Sequence, residues 1–295
     1  MLLTIFRFLS NAALPSQILK LLYECHSDTL QHLHITLGSP IGFYPGSLRT
    51  LDILIRDDHW ELYSIHEAAT VELFLNQFQN RRLERMCIIQ EHKFPPRHDD
   101  PDYIRAAIKK RENAVHLDSL RELSLTGFDL EPIEKSLLHG INLHHLSSLT
   151  LWKCQGMDFL FDEMVKILRG NNLNLKHLAI KPRDGGNLSG LGLDTILKSV
   201  PKIQSFCLDW SGCELWGRDA LVKNIGKMGG TLRVLFLCDV DCQIIDFEHK
   251  ISAQQFATIC SFCPHLEQLG YQVFEDTIRW GPGVDLLMVC IKIKC

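Results

Sequence analysis

The chain has 295 residues, 46% of them apolar and 22% charged, with a net charge of −4 and a pI of about 6.4. That apolar share supports a packed core and excludes a globally disordered chain. The small negative charge removes any electrostatic case for a nucleic-acid partner.

Taken from the N-terminus, the first ten residues are apolar. They lack a basic leader region, Arg7 interrupts the run and no small-residue cleavage site follows, so they read as a strand or helix of a structural unit rather than a signal peptide. Leu14, Ile18, Leu21, Leu22 and Cys25 then form a helix stripe. At residue 30 a phrase begins that recurs as far as residue 271: apolar, two variable, apolar, one variable, apolar. It reads Leu30, Leu33, Ile35; Leu48, Leu51, Ile53; Leu83, Met86, Ile88; Leu120, Leu123, Leu125; and Leu146, Leu149, Leu151. It continues as Leu175, Leu178, Ile180; Ile203, Phe206, Leu208; Leu232, Leu235, Leu237; and Leu266, Leu269, Tyr271. The nine copies step by about 30 residues, near the usual leucine-rich period.

Helix stripes separate the later copies. Met157, Leu160, Phe161, Met164, Val165 and Leu168 fall on one helical face, as do Leu193, Ile196, Leu197 and Val200, and again Phe256, Ile259, Cys260 and Cys263. Ser252 and Gln255 fit a capping box. Pro201 and Pro264 close two helices, and Gly140, Gly170 and Gly229-Gly230 sit where a left-handed C-terminal turn is expected. Two copies are more widely spaced, and the Pro-rich stretch 91–101 between them reads as a loop that ends on Asp100 as an N-cap before Pro101. One unit of strand and helix cannot bury its own apolar face, so the units must stack. The expectation is a repeat array over 1–275 with a non-repeat tail over 276–295. The central leucines Leu149, Leu178 and Leu235 should be fully buried.

The phrase and its period resemble the leucine-rich repeat family, in its longer, irregular strand-helix type. The fifth copy matches best, with Cys154 where these repeats carry Asn or Cys; the fourth has Phe128 there and the seventh Ser211. The resemblance implies an α/β solenoid: a curved parallel sheet with helices on the convex side and a concave face that binds proteins. Alternation along each strand sends the third, fifth and seventh phrase positions to that face. Trp152, Lys181, Asp209, Trp210 and Phe236 are its candidate protein-binding residues, because aromatic and charged side chains come together there across consecutive strands. The competing reading of Trp152 and Trp210 is that they pack over strand ends.

The chemistry-bearing clusters are thin. Cys260-Ser-Phe-Cys263-Pro-His265 offers a pair of thiols and an imidazole, but a zinc site needs four ligands, and the helix-core reading of both cysteines is preferred. No phosphate loop, nucleophile elbow or metalloprotease helix occurs. No catalytic residue, cofactor or metal is expected. Eleven cysteines, an odd number, lie mostly in core positions, which fits reduced thiols in a cytoplasmic or nuclear protein. The functional expectation is a non-catalytic interaction module for a protein ligand. The alternative is the substrate-recognition part of an F-box-type ubiquitin-ligase adaptor, with ubiquitin-ligase subunits as partners, because Ala13-Leu-Pro-Ser-Gln-Ile-Leu resembles the opening of an F-box. A metal-dependent enzyme is a more distant alternative.

Overall fold

The structure, a computed structural model, describes residues 3–8, 15–37, 47–56, 82–91, 117–128, 130, 138, 140–168, 173–183, 190–209, 218–238, 253–272 and 288–292. They form an α/β architecture built on one sheet of eleven strands, whose spatial order equals their order in the chain. The strands are β1 (Ile5–Phe8), β2 (His32–Leu37), β3 (Thr50–Arg56), β4 (Arg85–Glu91), β5 (Glu122–Thr126) and β6 (Ser148–Cys154). They continue as β7 (His177–Pro182), β8 (Ser205–Asp209), β9 (Val234–Cys238), β10 (Gln268–Gln272) and β11 (Met288–Lys292). The first ten are parallel to one another, and β11 joins β10 antiparallel.

Parallel neighbours need a crossover, and helices supply it. Helix α1 (Ser16–His26) links β1 to β2, α2 (Met157–Leu168) links β6 to β7, and α3 (Gly190–Lys198) links β7 to β8. α4 (Arg218–Met228) and α5 (Ala253–Phe262) serve the next two crossovers. Because such crossovers share one hand, sequential strands keep their helices on one side of the sheet. No helix among the described residues is long and apolar enough to cross a membrane.

The phrases set the register. Their central positions run as one row: Leu33, Leu51, Met86, Leu123, Leu149, Leu178, Phe206, Leu235 and Leu269 each pair with the next. Nine phrases have 27 apolar positions; leaving aside Tyr271, whose side chain lies outside the described set, the other 26 are at most 3% exposed and belong to one core. A second regularity sits at each strand entry. The carbonyl of the phrase's second residue accepts two backbone N–H bonds from the next copy, as Gln31 does from Arg49 and Thr50 and Arg233 does from Glu267 and Gln268, at 2.7–3.0 Å. A hydroxyl just before the phrase adds a tie to the previous copy, Thr231 Oγ1 to the Ile203 carbonyl at 2.7 Å.

Helices follow their stripes. Met157, Leu160, Phe161, Met164 and Leu168 of α2 are buried, and so are Leu193, Ile196, Leu197 and Val200. In α1 only Leu22 of the stripe is buried; Ile18, Leu21 and Cys25 are exposed. No helix among the described residues packs beside α1 to cover them. Between α3 and α4 the buried Asn224 donates to Asp194 Oδ1 at 2.6 Å and accepts from Lys227 at 3.0 Å. Lys198 also pairs with Asp194 and, foremost, holds its carboxyl below the ordinary carboxylate value.

One sequence expectation changes. Gly229 and Gly230 do not adopt the left-handed conformation, which is found instead at Gly127 and Gly156. Gly229 is needed for close approach instead, since a Cβ there would run into the carbonyl of Phe262 on the neighbouring helix. The tail over 276–295, expected to lack the repeat phrase, contributes the antiparallel β11 to the sheet. The Pro-rich loop, apart from Glu91, lies outside the described residues, as do Gly170 and Ser211.

Candidate functional site

The sheet face away from the helices carries the third, fifth and seventh phrase positions. Register places the fifth positions in one row: His34, Asp52, Cys87, Ser124, Thr150, Ala179, Cys207, Phe236 and Gly270. The row divides by chemistry, with charged and polar residues over β2–β5 and apolar, aromatic or small ones over β7–β10.

The middle of this face holds most of the expected site residues. Trp152 pairs with Lys181 across β6 and β7, and the Lys181 ammonium stands 5.6 Å from the centre of the indole. The same ammonium donates to Asp209 Oδ2 at 2.6 Å. Three strands thus deliver an aromatic, a cation and an anion in line. Their burial alters the role expected of the charges. The side chains of Lys181 and Asp209 are only 14% and 5% exposed, so the two charges satisfy each other and brace the half-buried Trp152 rather than standing free for a ligand. Trp210 lies outside the described residues.

A bulge presents Trp152. Lys153 takes a left-handed φ of 52°, and the β6–β7 register shifts between Trp152 and Cys154. Simple alternation would bury Lys153; the bulge leaves Lys153 exposed and turns Cys154 inward. There the thiol reaches the Leu125 carbonyl at 3.4 Å. The preceding copy does the same with other residues: Gly127 has a φ of 84° and Phe128 is buried. The Phe that breaks the Asn-or-Cys pattern therefore occupies the same inward position.

Phe236 lies at the other end of the apolar half. Its ring lies over Gly270 of the adjacent strand, where an added Cβ would overlap the ring. An aromatic covering a strand glycine across the ladder recovers the packing that glycine lacks. Gly270→Val is expected to displace this ring and cost about 1–3 kcal/mol, the usual penalty of overpacking. Equal urea midpoints for the variant and the parent would show that Phe236 does not depend on Gly270.

A second cluster, over β2–β5, was not singled out from the sequence. Asp52 Oδ2 is 3.3 Å from His34 Nε2, and its Oδ1 is 3.7 Å from Arg85 Nε, which also stands 3.8 Å from Glu122. Asp52 is buried while Arg85 and Glu122 are half exposed. The available signal was the row of fifth positions, which sets His34 directly beside Asp52. At the strand entries Arg49–Glu84 and Arg233–Glu267 repeat one exposed pairing at 3.4 and 3.1 Å. Exposed pairs of this kind contribute at most about 1 kcal/mol.

Among the described residues no group of three or more His, Cys, Asp or Glu is placed to hold a metal ion. Cys25, Cys87, Cys154, Cys207, Cys238, Cys260 and Cys263, the cysteines whose side chains are described, are free thiols. Burial pushes Cys154 up to about 12 and Cys263 up to about 11, and it raises Cys87 and Cys207 as well. Raised thiols stay protonated and slow as nucleophiles. In the native protein a thiol reagent should modify the exposed Cys25 first and leave Cys154 and Cys263 until unfolding; early labelling of Cys154 would contradict its buried placement. The sign of the pH effect follows. A thiol that is harder to ionise when folded adds stability below its unfolded value near 9, and that contribution is lost as pH climbs toward 12. No model of a known protein family matches the chain, and no curated protein matches it either.

Proposed function

We propose that the chain is a leucine-rich repeat solenoid whose concave face, the sheet face away from the helices, binds a protein ligand without catalysis. The observation that carries this reading is the shared register of nine phrases. It commits 26 of the 27 apolar phrase positions to the core, and the described residues leave the other face of the sheet to the third, fifth and seventh positions of nine strands. Such a surface supplies shape and spaced contacts for a protein ligand. Trp152 is the anchor, held by the Lys181–Asp209 brace, and the His34–Asp52–Arg85–Glu122 cluster provides the polar flank. An aromatic surrounded by satisfied polar groups is the composition of a binding hot spot.

The adaptor alternative draws on the segment 13–22. Leu22 of that segment is in the core and α1 occupies the crossover between β1 and β2, which favours a repeat helix and the plain module. Photo-crosslinking residues placed at Thr150 on the concave face and at Lys166 on α2 test both readings in cells. Discrete adducts from position 150 alone support the concave site, and cullin-ligase subunits among them would support the adaptor. Adducts arising only from position 166 would place the ligand on the helices. Trp152→Ala should weaken the captured ligand by more than about 1 kcal/mol without unfolding the chain; a large fall in melting temperature would make Trp152 a packing residue instead.

A further inference from the structure

The helical side carries a second feature, which does not rest on the concave-face reading. Helices α4 and α5 come together at their C-terminal ends. Gly226 lies against the ring of Phe262, close enough that a Cβ would be 2.7 Å from Cδ2, and Gly229 lies against the Phe262 carbonyl. Between the helices runs a groove of about 700 Å3. Val222, Lys223 and Lys227 form one wall, and Gln254, Thr258 and Phe262 the other. The Phe262 side chain is 48% exposed, an unusual position for a large ring beside a glycine.

The charges of the groove are one-sided. Lys223 and Lys227 are one helical turn apart and therefore neighbours on the α4 surface. No acidic residue is among the described residues that line the groove. Lys227 donates to Asn224, and its charge also reaches the Asp194 carboxylate behind that side chain, so Lys223 is the more available of the two charges toward a ligand's carboxylates. α5 has no charged residue over its whole length. This local excess of cations stands on a chain of net charge −4. An apolar floor edged by two ammonium groups complements an amphipathic segment with apolar anchors and flanking carboxylates.

We propose that the α4–α5 groove docks an acidic amphipathic helix of a partner protein, seated on Val222 and Phe262 with its carboxylates toward Lys223 and Lys227. The chain then engages two protein surfaces at once, one on each side of its sheet. The probe is a fluorescein-labelled peptide of about four helical turns, with leucine at i, i+3, i+4 and i+7 and glutamate elsewhere, paired with a twin that carries lysine for glutamate. Binding to the full chain is read by fluorescence anisotropy. The glutamate peptide should saturate the parent protein, and the double variant Lys223→Glu/Lys227→Glu should weaken it by at least about tenfold. The lysine twin should prefer the double variant, and Trp152→Ala should leave both peptides unaffected. Both lysines are exposed, and coincident thermal melts confirm that the double variant is folded. Absence of saturable binding to the parent, or equal affinity for the double variant, overturns the proposal. So does binding to phosphatidylserine vesicles in place of the peptide, which would assign the lysines to a membrane surface.

Discussion

Replacing Leu178 with alanine should lower the unfolding free energy by ~2–5 kcal/mol, as truncation of a buried leucine generally does. The side chain is 1% exposed and lies in the row of central phrase positions between Leu149 on one strand and Phe206 on the other. A cavity there opens to both neighbours, and neither can collapse into it without leaving its own strand register. Leu149→Ala and Leu235→Ala should behave alike, since both are at most 1% exposed. Because each unit of a stacked array is stabilised mainly by its neighbours, the effect should shrink toward the N-terminal edge. Leu33 has β1, a four-residue strand, on one side, so Leu33→Ala should cost less than Leu178→Ala. Urea unfolding of the four variants checks the order. A near-zero shift for all of the central three would mean that the phrases are not in the core.

The second large effect concerns Lys181 and Asp209. Asp209→Ala should destabilise by ~3–5 kcal/mol, because it strands an ammonium that its surroundings have removed from water. The double variant Lys181→Met/Asp209→Leu should recover most of that loss, since the cost lies in leaving one charge unpaired rather than in losing the attraction. Added salt should change this pair less than Arg49–Glu84 or Arg233–Glu267, whose side chains are roughly half exposed. A double-mutant cycle gives the answer directly. A loss under about 1 kcal/mol for Asp209→Ala would class the pair with exposed ion pairs, and the brace under Trp152 would have no energetic basis.

These two results bear on function in different ways. The leucine row explains why the other sheet face is left to polar and aromatic positions: the described apolar phrase positions are turned inward. The ionic pair explains how one large aromatic is kept on that face. Lys181 fills the space beside the indole and is itself pinned by Asp209, so under the proposed concave-face binding Trp152 would lose little freedom on being covered. Low ordering cost is one of the ways a surface aromatic becomes an anchor.

Much of this architecture is legible in the residues before any coordinates. The spacing of the nine phrases defines nine of the eleven strands, β2 to β10, because burial requires the same two faces to alternate in every unit, whereas β1 and β11 carry no phrase. It also defines the register, since a slip of one residue would turn every leucine to solvent. The helix stripes at 157–168 and 193–200 follow from period alone. Other features depend on what each side chain meets. Lys181 and Asp209 are suggestive charges in the sequence, and only their burial against each other turns them into a brace. Gly229 reads as a helix stop, but the carbonyl of Phe262, more than thirty residues away, is what excludes a side chain there. Cys154 and Phe128 look like a match and a mismatch to one pattern, yet a left-handed residue before each, Lys153 and Gly127, goes with burial of both. Periodic burial is a property of one segment and its own turns, so the sequence determined it. Pairing of charges, close approach of helices and the depth of the α4–α5 groove are properties of two segments together, and only the tertiary structure decided them.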